Sequence, residues 1–167
     1  MEGIYTSEEH LRALGKDTAR PKTRDEREIV GYRDVLNMIH ENHEYLPPKP
    51  PIILQLHRDL YKFEGFDAGG KYKTEGAIIE IEEYLGNKYV KFQPVQAWEI
   101  AEIMDELCKS FEEASANEQV DSLILIPMFI LDFLCIRPFK DGNGQMSRLL
   151  IVLLLERAGY ICLLYTS

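Results

Sequence analysis

Two apolar runs, Leu123–Ile136 and Leu149–Leu155, constrain this 167-residue chain more than any other feature. The first covers 14 residues with a single charge, Asp132, inside it, and the second covers only seven. Both runs fall short of the ~18–20 residues that a spanning helix needs. They read as two buried core helices. The twelve-residue segment Arg137–Arg148, rich in glycine and charge, must then cross from one to the other. The length fits one domain with a core of useful size.

The rest of the chain reads as mostly helical. Thr6-Ser7-Glu8-Glu9 resembles a helix start, with hydroxyls to cap and acids in the first turn. A long amphipathic helix is predicted from Arg24 to about Tyr45, with Ile29, Tyr32, Leu36, Ile39 and His43 on its apolar face. Leu46-Pro47-Pro48-Lys49-Pro50-Pro51 ends it, and proline suits the first turn of the next helix, Ile52–Phe63. Ala77–Ile81 and Lys88–Phe92 are β-prone stretches around Gly86-Asn87, a hairpin signal. Pro94 opens a helix to about Ala114, carrying Trp98, Ala101, Met104, Cys108 and Phe111 on one face. Pro127 predicts a kink or a late start in the apolar helix that ends near Ile136. The last helix is expected from Asn143 to about Gly159.

Charge and cysteine usage narrow the setting. A formal net charge of −9 argues against nucleic-acid and anionic-membrane partners, which need basic surface. Cys108, Cys135 and Cys162 are too widely spaced for a disulfide framework or a metal-ligand pair. Their apolar neighbours predict that all three are core residues. The start of the chain has no basic stretch followed by an apolar one, so a cytoplasmic protein is expected.

The crossing segment reads Arg137-Pro138-Phe139-Lys140-Asp141-Gly142-Asn143-Gly144-Gln145-Met146-Ser147-Arg148. Small residues at a helix start leave backbone N–H groups pointing outward at the positive end of the helix dipole, which favours phosphate. Asp141 offers oxygen ligands to Mg²⁺, and Arg148, one turn on, offers a forked donor set. The same Asp-Gly-Asn-Gly is also ordinary turn chemistry, and from these residues alone the two readings stand level. A second glycine-rich stretch, Gly65–Lys71, has P-loop spacing as far as its lysine. It is followed by Tyr72 rather than Ser or Thr, so it is set aside.

The segment resembles the signature of the Fic family, His-Pro-Phe-x-(Asp/Glu)-Gly-Asn-Gly-Arg-x-x-Arg. Pro138, Phe139, Asp141, Gly142, Asn143, Gly144 and Arg148 match in register. Ile29–Glu41, Leu56–Leu60, Gly70–Lys73 and Phe92–Trp98 are also similar to the family, so the resemblance covers nearly the whole chain. It implies an all-α, Fic-type helical bundle with a small β-hairpin flap, as a single domain over residues 1–167. It further implies ATP and Mg²⁺ as cofactors and transfer of AMP to a hydroxyl of a protein target. By the same resemblance Arg137 and Asn143 fall at catalytic positions, and Asp141 holds the metal. Phe139, Gly142, Gly144, Gln145 and Arg148 bind nucleotide. Lys71, Tyr72, Lys73 and Thr74 belong to the flap, expected over Tyr72–Phe92, which pins an extended target segment as an added strand.

Two departures matter for chemistry. Arg137 stands where the family has its general-base histidine, and a guanidinium accepts no proton at neutral pH. Gln145 stands where the family has a phosphate-contacting arginine. It keeps hydrogen-bonding capacity but no charge, for which Arg137 is a candidate replacement. No other histidine is an obvious substitute: His10, His40, His43 and His57 read as structural or exposed. The expectation is impaired chemistry on a retained nucleotide cradle, the alternative a non-catalytic nucleotide- or peptide-binding module that uses the flap edge. At the start of the chain, Glu2 resembles the glutamate of the family's inhibitory motif, with Arg148 as its partner. The Ser or Thr of that motif would precede residue 1, and Cys162–Ser167 departs from the helix usual in relatives. The domain is therefore expected to be cut at both ends. Target and oligomeric state are not legible.

Overall fold

The computed structural model describes residues 21, 23–65, 69–75, 80–84, 87–92, 95–117 and 120–160, with the backbone alone for 80–84 and 87–92. The N-terminal helix expected near Thr6, together with Glu2, His10 and Cys162, lies outside these residues.

Helix α1, Arg24–Asn42, starts on a reciprocal cap. Thr23 Oγ1 accepts from the Glu26 N–H at 3.2 Å, and Glu26 Oε2 accepts from the Thr23 N–H at 3.3 Å. It passes into a 3₁₀ turn, His43–Tyr45. Its buried residues are Glu26, Val30, Gly31, Val35 and Ile39; of the expected apolar face Ile39 is buried, and Tyr32 and Leu36 are half-buried against the core. Helix α2, Pro50–Leu60, has proline in its first turn and buries Ile53, Leu56, His57 and Leu60 at helical spacing. Gly31 lets α1 and α2 cross closely: a Cβ there would lie 2.0 Å from the Leu60 carbonyl oxygen.

Strands β1, Glu80–Tyr84, and β2, Asn87–Phe92, pair antiparallel, with Ile81 opposite Val90, Tyr84 opposite Asn87 and an irregularity between Glu80 and Ile81. Helix α3, Ile100–Ser115, buries Ile100, Met104 and Cys108. It begins later than expected, so Trp98 precedes it and is 78% exposed rather than on its core face. Helix α4, Ser122–Ile136, is capped by the Asp121 carboxylate, which accepts from the Leu123 N–H at 2.8 Å. Pro127 lies inside α4, which starts five residues before it, so the helix does not begin late. Helix α5, Asn143–Arg157, buries Met146, Ser147, Leu149, Leu150, Leu153 and Leu154.

The core forms where α4 packs against α3 and α5, and α5 against α1. Phe129, Phe133, Met104, Met146 and Leu149 are among its fully buried side chains. Arg157 Nη1 ties α5 back to the 3₁₀ turn, donating to the carbonyls of His43 at 2.8 Å and Glu44 at 2.9 Å. The apolar helix α4 is buried on one side only among the described residues, contrary to expectation. Leu123, Ile124, Met128 and Leu131 are exposed because α3 and α5 both pack on its other face. Cys135 is exposed too, whereas Cys108 is buried as expected. No helix among the described residues is long and apolar enough to cross a membrane.

Candidate functional site: the loop between the apolar helices

The loop begins where α4 ends in a left-handed residue. Arg137 has φ 48° and ψ 62°, and it is the non-glycine residue with positive φ among those described. Such a conformation costs an L-residue about 1–2 kcal/mol and turns the chain sharply out of the helix. Pro138 and Phe139 then dive inward, and both are buried. Lys140 and Asp141 return to the surface. Gly142, at φ 78° and ψ 8°, is a second left-handed residue and leads into α5.

The Phe139 side chain, expected at a nucleotide-binding position, is an anchor of the loop in this fold. It is 1% exposed and stacks face to face on the His57 ring, with centroids 3.7 Å apart and planes within 3°. Asn143 locks the same residue from the next turn. Its Oδ1 accepts from the Phe139 N–H at 3.0 Å, and its Nδ2 donates to the Phe139 carbonyl at 2.8 Å. Asn143, expected at a catalytic position, therefore has both amide atoms engaged in closing the loop.

His57 is a residue that sequence reasoning undervalued. It is 3% exposed, and burial holds its imidazole below the usual histidine range. Nδ1 accepts from the Gly70 N–H at 2.9 Å, which leaves Nε2 to donate to the Asp141 carbonyl at 3.1 Å. Its spacing on α2 fits an ordinary core position, so no sequence signal marked it. The flap residues sit at the base of the hairpin. The Lys73 N–H donates to the Pro138 carbonyl at 2.9 Å, and Lys140 Nζ pairs with Glu75 at 2.9 Å. Tyr72 lies beside Phe139, and Lys71 and Thr74 are exposed. Burial and the neighbouring Arg137 both lower the Lys73 pKa.

A cleft of about 630 Å³ opens over the start of α5. From the loop it is lined by Arg137, Lys140, Asp141, Gly142, Asn143, Gly144, Gln145 and Arg148. Helix α1 adds Arg24, Asp25 and Glu28, and Tyr61 follows α2. Seven sequence-predicted site residues thus meet in one place. No side chain among the described residues caps α5, and its first backbone bond runs from the Met146 N–H to the Gly142 carbonyl at 2.8 Å. The preceding N–H groups are left without intrahelical partners. Four cationic side chains face three carboxylates here, a local positive excess on an acidic chain.

Gln145 does not present a free amide. Its Nε2 donates to Glu28 at 3.2 Å, and its Oε1 accepts from the Tyr61 hydroxyl at 3.4 Å. Burial pushes the Tyr61 phenol well up, so it remains a donor. Glu28 also pairs with Arg24 at 3.2 Å, and Arg24 lies 3.5 Å from Glu64. Arg24 was not foreseen, because nothing in the periodicity of α1 points its first residue at a loop more than a hundred positions away. Asp141 also borders a neighbouring cleft of about 410 Å³ on the flap side, lined by Lys71, Tyr72, Lys73, Thr74 and Glu75 among others. Among the described residues no group of three His, Cys, Asp or Glu side chains is placed to hold a metal. A metal shared with phosphate needs fewer, since Mg²⁺ commonly takes one or two carboxylates plus phosphate and water. The exposed Asp141 carboxylate beside the uncapped helix start fits that demand.

An all-α bundle in which a Pro-Phe-x-Asp-Gly-Asn-Gly loop joins two core helices defines a class. The Fic/DOC family model matches residues 45–155, and the chain belongs to that family. The fold is shared with a Fic-domain-containing signalling protein from Bacteroides thetaiotaomicron, at 20% identity and a TM-score of 0.74 over 92% of this chain and 57% of that one. A Fic family protein from Desulfovibrio desulfuricans matches at 22% identity and TM-score 0.69, over 92% and 43% of the two chains. Residues 134–508 of Fic-1 from C. elegans, with E274G, match at 21% and 0.67, over 92% and 44%. The chain therefore spans roughly half the length of these structures. None of the curated proteins gives a significant match.

Proposed function

We propose that the chain is a nucleotide-binding Fic domain, taking ATP with Mg²⁺, whose transfer of AMP to a protein hydroxyl is impaired. The observation that carries this reading is the uncapped N-terminus of α5, opening with Gly142 and Gly144 into a cleft that also holds Arg137 and Arg148. Unpaired N–H groups, a helix dipole and forked cations together suit a polyphosphate. The metal, held through Asp141, would supply charge neutralisation to the phosphates when bound. Arg137 occupies the place from which a base would take the proton of the incoming hydroxyl, and its permanently charged guanidinium has no lone pair to offer. A positioned base typically contributes ~10²–10⁴-fold, about 3–5 kcal/mol of barrier. Arg137 instead adds a donor for phosphate. With Gln145 engaged by Glu28 and Tyr61, and Arg24 and Lys140 paired with carboxylates, Arg137 and Arg148 are left to supply positive charge to the ligand.

The test compares wild type with Arg137→His/Gln145→Arg, using α-labelled ATP with Mg²⁺ and a lysate as target, alongside calorimetric ATP titration. The expected result is ATP binding by both and label transfer by the double variant alone. Equal transfer by both would sink the impairment argument, and no ATP binding by either would sink the cradle. A second reading has one observation in its favour. Among the described residues the sheet has two strands, each with an outer edge to which a peptide strand could be added. A peptide-binding module without nucleotide would bind peptide but give a flat ATP titration.

A further inference from the structure

We propose that His57 is a positioning residue that couples the base of the hairpin to the glycine loop; the inference rests on the reading of that loop as the nucleotide cradle. The imidazole is hydrogen-bonded to both segments. Through Nδ1 it receives the Gly70 N–H, just before the flap, and through Nε2 it holds the Asp141 carbonyl, just before Gly142. The stack on Phe139 fixes the ring plane, so both contacts are made from one rigid body. A ring locked on three sides transmits displacement where a flexible side chain would absorb it. Two direct ties also join these segments, a backbone bond from the Lys73 N–H to the Pro138 carbonyl and an exposed ion pair between Lys140 and Glu75.

The two nitrogens can be separated by substitution. Asparagine places its carbonyl oxygen near the Nδ1 position and keeps the Gly70 contact. Glutamine places its amide nitrogen near Nε2 and keeps the Asp141 contact. Phenylalanine keeps the stack and loses both. A merely space-filling histidine predicts no difference in kind between the Asn and Gln variants.

The experiment measures residue-resolved amide exchange by NMR, and ATP affinity, for wild type, His57→Asn, His57→Gln and His57→Phe. In the free protein, Gly70 exchange should stay slow in His57→Asn and rise in His57→Gln and His57→Phe. The Lys73 amide, which His57 does not touch, should exchange about three- to tenfold faster in His57→Asn, because the loop that accepts its bond is released. ATP affinity should stay within about threefold of wild type in His57→Gln and fall about tenfold in His57→Asn and His57→Phe. Added ATP should slow Gly70 exchange in wild type and not in His57→Phe. Unchanged Lys73 exchange in His57→Asn, or an ATP response at Gly70 that survives in His57→Phe, would overturn the coupling. If wild type binds no ATP, the cradle reading fails by itself, and the free-protein exchange pattern still decides the role of His57.

Discussion

Alanine at Gly142 and at Gly144 should have opposite effects, although the two residues are separated only by Asn143. Gly142 is left-handed, and an L-residue there costs about 1–2 kcal/mol. Its Cβ would also lie 2.7 Å from Tyr61 Oη and 2.9 Å from Cε2, so the ring must yield by about half an ångström, as judged from normal contact distances. Tyr61 is 4% exposed and packs beside His57, with ring centroids 5.0 Å apart, so that movement is resisted. Overpacking of this kind costs about 1–3 kcal/mol, and Gly142→Ala should lose about 2–5 kcal/mol in all. Gly144 lies in the first turn of α5, where a Cβ meets nothing nearer than Arg148 Nη1 at 3.8 Å. Gly144→Ala should therefore keep wild-type stability or gain up to about 1 kcal/mol from reduced backbone freedom. Its added methyl nevertheless stands where the uncapped backbone would meet phosphate, and ATP affinity should drop about tenfold or more, an increment near 1.4 kcal/mol. Urea unfolding followed by circular dichroism measures the first quantity and calorimetry the second. A Gly144→Ala variant that binds ATP as wild type does would refute the backbone cradle. A Gly142→Ala variant as stable as wild type would refute the strain argument.

Two further outcomes follow from the packing. Gly31→Ala should destabilise by about 3 kcal/mol or more, because a Cβ 2.0 Å from the Leu60 carbonyl forces α1 and α2 apart along backbone that cannot rotate away; a urea midpoint equal to wild type would contradict that close crossing. In a Cys162→Ser background at pH 8, a thiol reagent should label the exposed Cys135 and spare Cys108, whose pKa is pushed up to about 12 by burial with help from Asp105 and Glu112. Intact-mass analysis showing equal labelling before unfolding would contradict the burial.

What was legible in the sequence depended on whether the determinant was local. Apolar runs mark α4 and α5, and prolines mark the start of α2, because each signal lies within one turn of what it specifies. The loop was legible for the same reason. The determinants that escaped are tertiary. Trp98 has the right spacing to lie on α3, yet the helix starts at Ile100, so spacing alone misassigned it. Cys135 and the outer side chains of α4 are as apolar as its buried ones, and only the arrangement of α3 and α5 decides which side is covered. His57, Tyr61, Glu28 and Arg24 reach the site from α1, α2 and the turn that follows, and no periodicity in one helix specifies a partner a hundred residues away.

The loop also separates two kinds of signature residue that a sequence motif prints as equals. Pro138 and Phe139 are buried, Asn143 is tied to the Phe139 backbone, and Gly142 occupies a left-handed turn against Tyr61. These positions match the family pattern, and each would disturb the fold if changed. Arg137 and Gln145 depart from it, and both line the cleft. Arg137 is exposed, and Gln145 has found partners in Glu28 and Tyr61 that a side chain of another length would have to replace. The constraint from folding thus falls on one set of positions and the constraint from chemistry on the other. A change confined to the second set can alter what the cleft does while the loop keeps its shape. On this reasoning, replacing residues 137 and 145 should cost little stability compared with Gly142→Ala, and the scaffold needed for the labelling experiment should survive both substitutions.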